Sequence, residues 1–286
     1  MDGGERLSDA GASSDRPNPP RAYDSAMRRR AFLAAGATGS AAALSGCLGL
    51  LGSSNASTNM SLPADDDPDD GYPPAYGDPG ERSVDPSSFP TTTTNGEEIR
   101  LAPIEVAHYW HKRADARFVD ARGSEQYDSA HIYGAISSPA QRGSTGGGID
   151  GWPDDDTVVC YCGCPHHLSS IRAAALQKAG FSNVFVIDEG FGPWYDNGYA
   201  MRGTNFESQQ PAAIQGQVSA QYAGEYAWAE AVERAQQEAA PIGEDGSFEI
   251  HLKFSELTDD TRIRVTTPEF DVTRPLGELT ETTLTA

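Results

Sequence analysis

Between residues 97 and 204 short apolar runs alternate with amphipathic stretches. Residues 103–113 predict a helix, with a proline suited to its first turn. Residues 117–120 predict a short strand, 124–127 a small helix, and 131–136 a turn into another strand. Residues 143–153 are glycine-rich and end in Trp152-Pro153, the mark of a loop. Residues 157–162 form the strongest strand pattern of the chain. A helix over 168–179 follows, ended by Gly180. A further strand is expected over 184–187, then a short helix that includes Trp194, a core side chain. Such alternation predicts an α/β domain with a largely parallel sheet.

Residues 205–213 are polar and read as a linker. Beyond them 245–254 and 261–268 alternate apolar and polar positions, as strands do, and Asp245-Gly246 supplies a turn. Residues 214–286 therefore predict a small β-sandwich domain, loosely similar to immunoglobulin-like or transthyretin-like folds. The Ala/Glu-rich stretch 220–240 supports a helix on composition alone. No catalytic cluster stands out there, so contact or stability is its expected role.

The N-terminal part has no such pattern. Residues 48–96 are rich in Ser, Asn, Asp, Pro and Thr and read as a disordered acidic tether. Its acidic run at 65–70 lacks the glycine and the distal glutamate of an EF-hand. Residues 1–47 hold Arg28, Arg29 and Arg30, an apolar run over 31–46 too short to span a membrane comfortably, and Cys47. The paired arginines resemble a twin-arginine signal. The stretch Leu44-Ser45-Gly46-Cys47 resembles a lipobox, which implies cleavage before Cys47, a lipid on its sulfur, and anchoring to the outer face of the cell membrane. Met27 directly before the arginines is the expected start of translation, the alternative being a long n-region.

Charge narrows the partners. The 286 residues carry 42 acidic and 21 basic side chains, a net charge of -21. That excludes nucleic acid, whose phosphates need a basic face. The acidic, lysine-poor composition resembles proteins of salt-loving archaea.

Chemistry concentrates in Cys160, Cys162 and Cys164. Three thiols so close suit reactivity or metal better than a disulfide framework. The segments 118–122 and 131–136, then 158–162 and 179–184, and finally Asp188-Glu189-Gly190 with Trp194 resemble the rhodanese family in order and spacing. The likeness spans over a third of the chain. It implies a parallel sheet flanked by helices and a nucleophilic cysteine, Cys162, in the loop between a central strand and a helix. That loop comprises Gly163, Cys164, Pro165, His166, His167, Leu168 and Ser169. Asp120 and Arg122 match a pair that braces sheet and loops. The implied partners are a small sulfur donor such as thiosulfate and a thiol or cyanide acceptor, with no cofactor and no metal.

A thiol at a helix N-terminus is expected to ionise, because unpaired amides and the helix dipole favour an anion. Leu168 stands where the family carries an arginine, and the loop is one residue longer. His166 and His167 are then the titratable cationic groups of the loop, and thiosulfate fits less well. Phosphatases sharing the fold have a longer loop but need the arginine. Cys160 reads as a buried apolar residue. Cys164 suits a resolving thiol, although an i,i+2 disulfide is strained. Two alternatives to turnover are a binding or thiol-redox module, and a soft-metal loop of the three cysteines with His166 and His167. His108 and His111 lack the spacing and the glutamate of a zincin, and surface or half-buried places are expected for both.

Overall fold

The computed structural model describes residues 70–73, 75–141, 149–203 and 212–286. The export signal, Cys47 and the tether up to residue 69 lie outside them. Folded chain begins well before residue 97, contrary to the expected tether. Phe118 N–H donates to Gly71 O at 2.8 Å and Tyr76 N–H to Lys112 O at 3.0 Å. Tyr76 is buried with Tyr133 and Ala200, and Phe89 packs on Trp110 and Phe185. These aromatic anchors supply the apolar area that the polar composition around them hides.

A hairpin follows. Strands β1 (Thr91–Thr94) and β2 (Glu97–Ala102) pair antiparallel around Asn95-Gly96. Both turn residues take positive φ, 51° and 82°, as the two-residue hairpin turn with right-handed twist requires. Next come α1 (Ile104–Arg113), β3 (Arg117–Asp120), α2 (Ser124–Ser129), β4 (Ala130–Ile132) and β5 (Ile136–Ser137). They continue into β6 (Thr157–Tyr161), α3 (His167–Lys178), β7 (Asn183–Ile187), α4 (Phe191–Asp196) and β8 (Met201–Gly203).

The main sheet has the order β1-β2-β7-β6-β3-β5, parallel from β2 onward. This is the predicted α/β architecture. Its central strands are apolar on both faces because helices cover both. One core holds Trp110, Phe118, Tyr161, Phe185 and Trp194; the other holds Val119, Val158, Cys160, Leu176 and Val186. His111 departs from its expected place. It is fully buried, bonded to Tyr76 Oη and to Tyr133 O at 2.7 Å each, because those partners satisfy both ring nitrogens inside the core. His108 is half-buried as expected, stacked on Tyr199.

Residues 212–286 contribute β9 (Ala212–Gln217), β10 (Tyr226–Ala231), β11 (Gln237–Pro241), β12 (Ser247–Leu252), β13 (Arg262–Thr266), β14 (Asp271–Pro275), α5 (Leu276–Glu281) and β15 (Leu284–Thr285). One sheet runs β11-β10-β13-β14, all antiparallel; the other runs β12-β9-β15. Their inner faces share a core of Ile214, Ala227, Ala229, Phe248, Ile250, Ile263 and Val265, capped by Leu276 and Leu279 of α5. The helix that composition allowed over 220–240 is replaced by β10 and β11. The sheets bury their alternating alanines against the facing strand, which outweighs alanine's helix propensity.

Candidate functional site

β6 lies between β3 and β7, so the residue that follows it stands at the middle of the sheet's carboxyl edge, where α/β sheets place ligands. That residue is Cys162. α3 begins at His167, and His166 turns the chain into it with φ 40°. The first-turn amides of α3 therefore face back toward the sulfur.

Cys162 Sγ lies 3.3 Å from Ser169 Oγ, and its S–H donates to Cys164 O at 3.0 Å when neutral. Burial opposes ionisation of Cys162. Hydrogen bonds from the Cys164 thiol, the Ser169 hydroxyl and the main-chain N–H groups of Ser169 and Cys164 outweigh it and hold the thiol down at about 6. The expected amide cradle is present, and the sulfur is also wholly covered, with 0% exposure.

The cover comes from the C-terminal sheets. Cys162, Cys164, Leu168 and Ile171 share an apolar cluster with Trp228 of β10 and Ala239 of β11. Beside it stands Glu238, also fully buried. Its Oε2 lies 3.5 Å from Cys164 Sγ, and its Oε1 accepts from Gln126 Nε2 at 3.4 Å. Desolvation and the negative charge on Cys162 push this carboxyl up to about 8. The Cys164 thiol is held well above its ordinary range by its hydrogen bond to Cys162, by burial and by Glu238. Its Sγ is also 3.6 Å from His167 Nδ1. Sequence reasoning passed over Glu238. Its one signal is an acid inside the small apolar run Glu238-Ala239-Ala240, legible only once that run is known to be a strand.

The other loop residues take separate places. Leu168 is core and Pro165 is exposed. His166 turns from the sulfur toward Asp188, its Nδ1 3.4 Å from Oδ1. Burial pushes the His167 imidazole down, against its charged form. The groups of the loop that stabilise the sulfur are the Cys164 thiol, the Ser169 hydroxyl and two amides. Gly163 leaves room for its neighbours: a Cβ there would lie 3.3 Å from Lys253 Cβ and 3.4 Å from Glu238 Oε1. Arg172 is buried within α3, where desolvation holds its guanidinium below the usual range. Cys160 itself sits in the core below α3, its thiol pushed up to about 12 by burial.

Asp120 and Arg122 form a buried bidentate ion pair at 2.6 Å, and Arg122 Nη2 also donates to Ala130 O at 2.6 Å. They tie the end of β3 to β4 beside the loop. Among the described residues no group of three His, Cys, Asp or Glu side chains is placed to hold a metal ion, and of the five side chains of the soft-metal alternative Cys160 lies in the core below α3 and His166 turns to Asp188.

Residues 106–197 match the family model of the Rhodanese-like domain. The chain carries a rhodanese-like domain. Over 94 residues it is 30% identical to a protein of Mycobacterium tuberculosis described as a probable adenylyltransferase/sulfurtransferase MoeZ, covering 33% of this chain. The chain spans only 24% of that relative's length. Among solved structures it resembles the rhodanese-like domain of the Alr3790 protein from Anabaena, with 18% identity and a TM-score of 0.32, over 38% of this chain and 83% of that one. It also resembles a thiosulfate sulfurtransferase from Pseudomonas aeruginosa, with 21% identity and a TM-score of 0.32, over 38% of this chain and 21% of that one.

Proposed function

We propose that this protein is a sulfurtransferase that carries sulfane sulfur as a persulfide on Cys162. The observation that carries this reading is the seat of the sulfur: at the carboxyl edge of β6, held by the main-chain N–H groups of Ser169 and Cys164 and by the Ser169 hydroxyl. The Cys162 thiolate attacks the sulfane sulfur of a donor such as thiosulfate, a new S–S bond forms, and sulfite leaves. The persulfide anion takes over the same amides. A thiol or cyanide acceptor then attacks the outer sulfur and Cys162 leaves as thiolate, a two-step exchange through a covalent intermediate. No cation of the loop reaches the sulfur, so selectivity for anionic donors rests on amides and the Ser169 hydroxyl, and donors other than thiosulfate belong in the assay.

The covered sulfur favours a second reading, a rhodanese-like thiol-redox or binding module without turnover. Both are decided by purifying the protein in high salt, offering several donors, and mapping persulfide by mass spectrometry. A sulfane adduct on Cys162, with transfer lost in Cys162→Ser, supports the transferase. Full transfer by Cys162→Ser rejects it. We further propose export and anchoring through a lipid on Cys47; a lipid-free Cys47 in the membrane fraction would contradict that.

A further inference from the structure

The sulfur site is not made by the rhodanese-like domain alone. Glu238 comes from β11, on the sheet that covers the loop, and is fully buried against Cys164. A lone buried carboxylate would be costly, and among the described residues no ion pair is recorded for this one. Its polar contacts are with Gln126 and the Cys164 thiol. The charged and titratable groups facing it are Cys162 and Cys164 of the loop, His167 at the start of α3, Arg122 after β3, and Lys253, whose stem packs beside Gly163.

Cys162, Cys164 and Glu238 thus form a line of three acidic groups in one desolvated pocket. Such a pocket holds one negative charge far more readily than two. The charge belongs on Cys162, which alone has the amides. Glu238 and Cys164 then hold protons, with the Cys164 S–H directed at the Cys162 sulfur and the Glu238 O–H behind it.

We propose that Glu238 is the proton reservoir of the sulfur-transfer step and acts through Cys164. This rests on the transferase reading and adds that the C-terminal sheets complete the site. The persulfide anion on Cys162 is a poor electrophile. One proton moves from Cys164 to its outer sulfur, and Glu238 replaces that proton on Cys164. An acceptor thiolate attacks the outer sulfur; its bond to that sulfur forms as the bond to Cys162 Sγ breaks. Cys162 leaves as thiolate, the acceptor leaves as a hydropersulfide, and the proton lost by the acceptor thiol returns to Glu238. No electrons enter or leave beyond those of the two sulfur partners.

The test uses the full chain, with thiosulfate as donor and dithiothreitol as acceptor, and reads two quantities. The first is persulfide on Cys162 by mass spectrometry. The second is the acceptor-step rate against pH, corrected for ionisation of dithiothreitol. In the parent that rate should fall as pH rises through about 8, where Glu238 gives up its proton. Glu238→Gln should be at least tenfold slower at neutral pH and lose this limb, and Glu238→Asp should regain a limb. Should Glu238→Gln fail to fold, Cys164→Ala must abolish the limb with Glu238 in place. A limb unchanged in either folded variant overturns the proposal and leaves the Cys162 persulfide standing. A parent that never forms the persulfide overturns both.

Discussion

At the scale of single residues, the site turns on how one buried sulfur stays ionised without a cation. Two side chains and two amides supply the field at Cys162, and the side chain that can be removed with least disturbance is Ser169. A hydrogen bond to a charged group contributes roughly 1.5–3 kcal/mol, and about 1.4 kcal/mol is one pKa unit. Ser169→Ala should therefore move the Cys162 titration, now centred at about 6, upward by about one to two units. Ultraviolet absorbance of the thiolate measures it, with Cys162→Ser as the blank. An unmoved midpoint would mean that the Ser169 and Cys164 amides and the Cys164 thiol suffice without the hydroxyl. The sign for stability follows from the same depression. Cys162 contributes fully above its unfolded pKa of about 8.5, and the contribution is lost as pH falls through about 6. Glu238 works the other way: its contribution is full below about 4.5 and lost as pH rises through about 8. The single charge that the pocket tolerates is visible in these opposite windows.

At the scale of elements, most of the α/β domain was legible because its strands are apolar runs and its helices carry clear stops. β3, β6, α3 and β7 fall within a residue or two of their expected places. β1 was hidden because its four threonines read as polar, although they are β-branched and only Thr94 is buried. β10 and β11 were ambiguous because their inward positions, Ala227, Ala229 and Ala240, are alanines, which give little contrast and favour helices in isolation. Cys162 was legible from the strand-to-loop junction before it. Its partner Glu238 was not, since only the sheet pairing brings β11 over the loop. A second junction was visible only as a letter. Gly190, between β7 and α4, takes φ 78° and ψ -167°, a conformation open essentially to glycine. A Cβ there would lie 2.9 Å from Cys164 O and 3.2 Å from Cys162 O, and the next amide, Phe191 N–H, donates to Cys162 O at 2.9 Å. Gly190→Ala should cost about 1–3 kcal/mol from backbone strain alone, read from denaturant unfolding, and should displace the loop enough to raise the Cys162 thiol. A variant as stable as the parent would show that the loop gives way freely and is not held from this side.

At the scale of the whole molecule, the cores of the main sheet and the core of the C-terminal sheets are joined through a further cluster that contains the Cys162 sulfur, so access to the sulfur and domain contact are one question. Polar bonds fix the joint. Gln126 Oε1 accepts from Gly123 N–H at 2.9 Å and from Gln237 N–H at 3.1 Å, Glu125 N–H donates to Ala235 O at 3.2 Å, and Gln237 Nε2 donates to Ala140 O at 2.7 Å. The tightest point is Gly123, where a Cβ would fall 2.0 Å from Ala235 O. Its backbone is ordinary extended chain, φ -63° and ψ 154°, so a larger residue there meets no dihedral penalty. The whole cost of Gly123→Val is therefore the collision with the segment leading into β11. None of these cores contains Gly123, so the wedge should part the joint while they stay folded. With the cover lifted, Cys162 becomes reachable as a thiolate. Its alkylation, followed by mass mapping in high salt, should quicken at least tenfold, while far-ultraviolet circular dichroism keeps its shape. Sulfur loading should quicken with it if opening limits turnover. Acceptor transfer should instead slow, because the same wedge draws Glu238 away from Cys164. That split, faster loading and slower release from one substitution remote from the sulfur, distinguishes a sheet that takes part in the reaction from one that merely shields it. Loading and release that quicken together would reduce the sheet to a lid.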